Sequence, residues 1–523
     1  MKWSFLKLNR STSRQRLNPT ALSQSSVSLL LLLVAVVVHM KRGSREVERS
    51  ILRLLHGQKS PTQLTQIHAH ILRHNLHHSN QLISHFISIC ASLNRMLYAS
   101  LIFQHFQNPN IFLFNSVIKG YSLNGPYQNS ALIFSAMKRR GIWPDEFTLA
   151  PLLKACVNLE DLRLGQGVHK HVLSLGFERF GSIRVGVVEL YSGCGRINDA
   201  KKVFDEMPQR DVILWNLMIK GYSQTGNVDM GFWLFREMGE RTVVSWNLII
   251  SSLAQNGREK DALELFHEMR NSEFEPDEAT VVTVLPVCGQ LGELDLGMWI
   301  HSYVKSKGLY PKLVSVGNAL IDFFGKSGDL ETAFTIFKDM PRKNVVSWNA
   351  ALSNCAFNGK GELGVQLFDE MLDEGVRPND STFVGVLACC AHAGLIQRGG
   401  DLFDSMIANH GIEPTIEHYG CMVDLLGRGG CLKEAHKLVK TMAMKPNAAI
   451  WGALVSACRT HGEMELAECA LKELIKLEPW NSGNYVLLSN IYADRGKWEE
   501  VEKVRVLMRG NSIKKSPGQS TIV

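Results

Sequence analysis

The sequence predicts an all-α protein, a right-handed superhelical solenoid of stacked helix-turn-helix repeats. Two residue landmarks recur at intervals that agree with each other, and self-similarity of that kind is the signature of a repeat array. Length points the same way, because 523 residues are too many for one compact core.

The first landmark is an aromatic residue followed by Asn or Gly. It occurs at Phe114-Asn115, Trp215-Asn216, Trp246-Asn247, Trp348-Asn349 and Trp451-Gly452, with separations of 101, 31, 102 and 103 residues. Each long separation resolves into three units of 35, then 35 or 36, then 31 or 32 residues. The second landmark is a small residue, then an aliphatic residue and Phe, then Met. It runs from Ala200-Val203-Phe204-Met207 through Gly231, Ala262, Ala333 and Gly364 to Gly399-Leu402-Phe403-Met406, and its Phe residues are spaced 31, 31, 71, 31 and 35 apart. Both rulers give the same unit lengths.

Spacing of i, i+3, i+4 and i+7 puts each landmark on one stripe of a helix. In the unit 243–277, Trp246, Ile249, Ile250 and Leu253 make the stripe of a first helix, which Asn256-Gly257 ends. A second helix is predicted from about Glu259 to Asn271, with Pro276 stopping its continuation. The small residue at the head of the second stripe is expected to let the two helices of the hairpin approach closely. One hairpin cannot bury its apolar face alone, so stacking on neighbours completes the core.

Composition is that of an ordinary folded chain, 45% hydrophobic and 20% charged, which excludes disorder and a polytopic membrane protein. The net charge of +7 comes from the leader: residues 1–45 hold eight Lys and Arg and no acid, so residues 46–523 sum to about −1. Bulk charge therefore argues nothing for nucleic-acid binding by the array. The basic, acid-free leader resembles an organellar targeting segment, with mitochondrion the expected destination and plastid the alternative. Its apolar run Val27–Val38 is too short for a bilayer span, so no membrane span is expected. Met40 could itself be the start, which would make residues 1–39 an extension of the gene model.

The eleven cysteines include no C-x-x-C pair and fall mostly at apolar helix positions, as reduced core residues do. Gly325-Lys326-Ser327 lacks the first Gly of a phosphate loop, and His461-Gly462-Glu463 lacks the P-C-x-x-C half of a zinc deaminase signature. No nucleophile constellation stands out. The expectation is a protein that is not an enzyme, with no cofactor and no metal.

Hairpins of these lengths with these words resemble plant pentatricopeptide-repeat proteins of the class that alternates P, L and S repeats. VVSWNLIISSLAQNGREKDALELFHEM (243–269) is similar to a P repeat, GELDLGMWIHSYVKSKGL (292–309) to an L repeat and SVGNALIDFFGKSGDLETAFTIFKDMP (315–341) to an S repeat. The array covers 46–447; residues 448–518 resemble E-type, tetratricopeptide-like motifs, and 519–523 are a short tail. The family's deaminase domain would start near that tail, so a chain ending at Val523 is expected to lack it.

The resemblance implies that each repeat contacts one base of single-stranded RNA. The fifth residue and the last residue of a repeat would read the base edge, and the second would pack on its face. Carried over, Asn115 with Asp145 and Asn247 with Asp277 imply uridine, and Ser84 with Asn110 implies adenine. Asn318 with Asn344, Asn349 with Asn379 and, more weakly, Asn216 with Thr242 imply pyrimidines. Val185, paired with Asp211, departs from the pattern, and Ala150, Val282 and Val384 are apolar and expected to read nothing. Sequence physics offers each Asn a rival role, since Asn beside Trp at a helix start is a natural N-cap, while Asp after Pro suits a turn.

The implied function is a site-recognition factor for organellar C-to-U RNA editing. A deaminase or other editing factors would be supplied in trans and dock at 448–518. The alternative is a splicing, stabilisation or translation factor using the same surface. A protein scaffold of the tetratricopeptide kind fits less well, because those units keep a uniform length.

Overall fold

The computed structural model describes residues 45–57 and 59–510; the leader and the tail lie outside them. Among the described residues the regular elements are 28 α-helices and one short 3-10 turn at Phe177–Arg179, with no strand. They form two compact units divided between Glu240 and Arg241. No helix among the described residues is long and apolar enough to cross a membrane.

Each hairpin begins where the predicted period places it. The residues preceding its first helix are Ser79, Asn110, Asp145, Phe180 and Asp211 in the first unit. In the second unit they are Thr242, Asp277, Leu313, Asn344, Asn379, Thr415, Asn447 and Asn481. From Asn110 to Asp211 the intervals are 35, 35 and 31; from Thr242 to Asn344 they are 35, 36 and 31.

In the unit 243–277 the helices are Val243–Gln255 and Glu259–Asn271, joined through Gly257 at φ 72°, where only a residue without Cβ is unstrained. Trp246, Ile249, Ile250 and Leu253 of the first helix are buried, as are Ala262, Leu265, Phe266 and Met269 of the second.

First helices of successive hairpins lie on one another. In the first unit the row runs Asn80–Ser92, Ile111–Asn124, Glu146–Leu159, Gly181–Gly193 and Val212–Gln224. In the second it runs from Val243–Gln255 through Glu278–Leu291, Val314–Lys326, Val345–Phe357, Asp380–Ala393 and Ile416–Arg428 to Ala448–Thr460. Within each unit, second helices such as Gln128–Arg139, Glu259–Asn271 and Gly361–Asp373 pack on their own first helix and on the next one. The two sequence landmarks are halves of this contact: Phe103 meets Phe114, Phe204 meets Trp215 and Phe337 meets Trp348, with ring centroids 5.3, 5.0 and 4.9 Å apart.

The small residue lets its own hairpin close, with Gly364 and Gly399 Cβ positions 3.1 and 3.3 Å from Cys355 and Cys390, and it serves a second, tighter contact as well. A Cβ on Gly364 would lie 2.2 Å from Cys389 Sγ of the next hairpin, closer than anything in its own. Gly297 stands likewise against Phe323, and Gly399 against Leu425. At these three glycines the closest approach is between hairpins, because the second helix is wedged against the following first helix.

All eleven thiols are free, and burial pushes those of Cys156 and Cys288 up to about 12, so they pack as neutral groups. Gly325 is a buried helical residue whose Cβ would strike Asn354 at 2.0 Å, and Lys326 is paired with Asp322 at 2.8 Å. That close-packed segment serves hairpin stacking. Among the described residues no three His, Cys, Asp or Glu converge as a metal site.

Candidate nucleic-acid interface

The residues that begin the first helices are the floor of the site. An α-helix leaves its first N–H groups without intrahelical partners, and a short polar side chain at the N-cap answers one of them. Asp145 accepts from Thr148 N at 2.8 Å, Asp277 from Thr280 N at 2.9 Å, Asn344 from Ser347 N at 3.0 Å and Asn379 from Thr382 N at 3.1 Å. Asn110 and Asp211 accept from Leu113 N and Leu214 N, and Thr242 from Ser245 N. The capping role offered by the sequence therefore belongs to the last residue of these repeats, although Phe180 and Leu313 at the same place make no side-chain cap. Asn115, Asn216, Asn247, Asn318 and Asn349 lie five residues further on, inside the helix, and cap nothing.

Freed from capping, the fifth-position Asn reaches sideways to the next cap. Asn115 Nδ2 donates to Asp145 Oδ1 at 2.9 Å, Asn247 Nδ2 to Asp277 Oδ1 at 2.9 Å and Asn349 Nδ2 to Asn379 Oδ1 at 3.0 Å. In each case a buried Thr closes the ring. Thr148, Thr280 and Thr382 donate to the Asn Oδ1 at 2.6, 2.5 and 2.6 Å. The Asn is largely enclosed, whereas Asp277 and Asn379 stand exposed.

This arrangement leaves defined edges open. The Asp277 Oδ1 atom accepts from Asn247 Nδ2 and Thr280 N, so Oδ2 remains an acceptor on the exposed side. Burial alone would raise its carboxyl, yet hydrogen bonds from Thr280, Asn247 and Ala279 outweigh that and hold it below the usual carboxylate range. It is an anion at neutral pH. Asn379 uses its Oδ1 in the same way and so presents an N–H donor where Asp277 presents an oxygen.

The other expected pairs are looser or unmade. Asn318 Nδ2 is 3.4 Å from Asn344 Oδ1, and its own Oδ1 is buried without a partner. Ser84 turns its hydroxyl back to Asn80 O at 2.7 Å and does not bond Asn110. Asn216 and Thr242 lie in different units. Ala150, Val185, Val282 and Val384 occupy the same helical position with nothing to donate or accept. The position then carries Gly420 and Gly452, so the polar residues at this position end with Asn349.

Two residues past many caps stands an exposed apolar side chain: Phe112, Phe147, Ile213, Val244 and Val346 are 52–67% exposed. Five identical placements are a built row, since scattered apolar exposure has no period. One helical turn beyond the fifth position, Lys119, Lys154 and Lys220 are exposed in the first unit. The Thr residues were missed in the sequence; the signal was a Thr 33 residues after an Asn and three after a cap.

Stacked helical hairpins with an apolar and a polar residue repeated at fixed offsets define a helical-repeat protein with a linear recognition edge. The chain belongs to the pentatricopeptide repeat family. Models of the PPR repeat family match residues 241–290 and 343–392, and the PPR repeat matches 186–212, 213–243, 318–345 and 417–445. The pentatricopeptide repeat domain matches 105–159 and the E motif 461–523, in keeping with an array of the P–L–S kind. A pentatricopeptide repeat-containing protein of Arabidopsis thaliana is 59% identical over 91% of this chain and 99% of its own length. A second from that plant is 44% identical, covering 92% and 90%. A putative third, described as chloroplastic, is 43% identical, covering 91% and 86%. The crystal structure of the pentatricopeptide repeat protein PPR10 from maize aligns over 94% of both chains at 16% identity and TM-score 0.47.

Proposed function

We propose that this chain is a sequence-specific single-stranded RNA-binding protein of an organelle, acting as site-recognition factor for C-to-U editing with the deaminase supplied in trans. The single observation that carries base reading is the threefold recurrence of the Asn–cap–Thr ring at Asn115, Asn247 and Asn349 beside a row of exposed apolar side chains. An unstacked base lies flat on the apolar residue while its edge meets the polar pair.

Donor and acceptor logic then assigns the base. Uracil offers an N3–H donor, which suits the free Oδ2 of Asp277; at Asp145 the corresponding Oδ2 already receives Asn115 Nδ2 at 3.2 Å. Cytosine offers an N3 acceptor, which suits the free N–H of Asn379. Exposed Lys119 and Lys220 of the first unit add phosphate contacts that position the strand without reading it, whereas Lys154 is already paired with Glu189.

The editing role rests on the E motif and on the end of the polar readers before it. Binding without chemistry requires a partner enzyme, and residues 448–518 are its docking segment in this reading. The mitochondrion is the destination we favour on the leader's composition, with the plastid as alternative; a fluorescent fusion decides between them. Deleting residues 448–523 tests the division of labour. RNA affinity should survive within about threefold while editing of the target site is lost. A truncated chain that no longer binds RNA contradicts the proposal.

A further inference from the structure

Thr148, Thr280 and Thr382 are fully buried at the third position of their helices, each 33 residues after a reading Asn. Each hydroxyl accepts from the backbone N–H of its cap residue, at 3.2, 3.1 and 3.1 Å. Two oxygens compete for its single proton: the cap Oδ1 at 2.8, 2.9 and 2.9 Å, and the Asn Oδ1 at 2.6, 2.5 and 2.6 Å. The cap oxygen already receives the helix N–H and the Asn amide, whereas the Asn oxygen has no other donor. The proton goes to the Asn.

We propose that these three threonines are specificity-determining positioning residues, locking the base-reading Asn of the preceding hairpin so that its free N–H points at the base in one orientation only. With the cap alone the Asn side chain has one tether and can rotate about it. The hydroxyl supplies the second tether, and two bonds fix both χ angles. The flipped amide is excluded as well, because it would set the Asn oxygen against the cap oxygen.

The protein contains its own comparison. Where Ser347 replaces Thr, the hydroxyl donates to the cap oxygen Asn344 Oδ1 at 3.1 Å but does not reach Asn318, whose Oδ1 is buried without a partner. The hairpins read by Asn115, Asn247 and Asn349 are therefore the selective ones, and that read by Asn318 is permissive. This inference rests on the base-reading proposal and sharpens it: not every Asn of the array discriminates equally.

The test uses the full-length chain and four RNAs that differ only at the nucleotide read by Asn247, located as the position where Asn247→Ala changes the preference. Thr280→Val should reduce the uridine preference there about fivefold, the worth of one hydrogen bond, while preferences at other nucleotides hold. Thr280→Ser keeps a hydroxyl but, like Ser347, should lose its reach to the Asn and lower the preference similarly. Ser347→Ala, which removes an equivalent capping hydroxyl, should leave the preference at the Asn318 nucleotide unchanged. If Asn247→Ala flattens the preference and Thr280→Val does not, the threonine role is overturned and base reading stands. A uniform affinity loss in Thr280→Val, with selectivity intact, overturns it as a purely structural residue. If neither variant alters any preference, base reading falls as well.

Discussion

Replacing Asp277 by Asn should convert one uridine-selective hairpin into a cytidine-selective one. The backbone N–H of Thr280 demands an acceptor, so the new amide must keep its oxygen where Asp277 Oδ1 now accepts at 2.9 Å. Its NH2 then takes the outward place of Oδ2. The chain already holds that arrangement at Asn379, where Oδ1 accepts from Thr382 N and from Asn349. Against uracil the change removes a hydrogen bond to an anion and opposes two donors, a loss of about 1.5–3 kcal/mol, or roughly tenfold to hundredfold in affinity. Against cytosine it adds a neutral hydrogen bond of about 1 kcal/mol. Asn caps a helix about as well as Asp, so the fold should lose no more than ~1 kcal/mol, from the missing charge at the helix N-terminus. Fluorescence polarisation on RNAs varied one nucleotide at a time reads the outcome. A preference that stays with uridine, or that shifts at several nucleotides together, refutes the donor and acceptor assignment.

Four further outcomes follow from the structure. Val244→Ser, at a side chain 58% exposed, should weaken binding of all four bases alike by about 1 kcal/mol and leave the melting temperature unchanged. Gly297→Ala should lower the melting temperature by several degrees, since its Cβ would lie 2.0 Å from the buried Phe323 ring, and overpacking costs about 1–3 kcal/mol. Gly452→Ala meets nothing within 4 Å and should instead stabilise its helix by about 0.5–1 kcal/mol. His68, hydrogen-bonded to Tyr98 at 2.5 Å, is lowered to about 4, first by burial and then by the charge of His77. The unfolded chain takes up that proton near 6.5 and the folded chain does not. Stability of the first unit should therefore fall as pH drops from 6.5 towards 4, by at most about 1.4 kcal/mol per unit from this group. His68→Gln should flatten that slope in pH-dependent melts; an unchanged slope places the titration elsewhere.

The hairpin register was fully legible because Trp, Phe and Met must recur wherever identical helices stack, and the caps fall at those intervals. Helix ends were legible from Asn256-Gly257 and Pro276 for the same local reason. The site was legible only in its residue types. Asn115 and Asp145 are both good caps, and composition alone does not say which one begins a helix; Pro144 before Asp145 and the D-x-x-T word after it would have decided. Gly364 betrayed a close approach without naming Cys389 as the neighbour, since that contact depends on how hairpins stack. Asn318 and Asn247 look alike in sequence. They differ because one has a hydroxyl within reach and the other does not, a difference of side-chain placement that no periodicity encodes.

Selection of the full-length chain on a random single-stranded RNA pool measures base reading most directly. If the pairs act as assigned, the enriched RNAs carry a uridine for Asn247 and Asp277 and, three nucleotides away, a pyrimidine with cytidine favoured for Asn349 and Asn379. The nucleotide for Asn318 should vary more than either. An enriched pool without fixed spacing between those pyrimidines, or with no enrichment over the starting pool, contradicts recognition by this edge of the array.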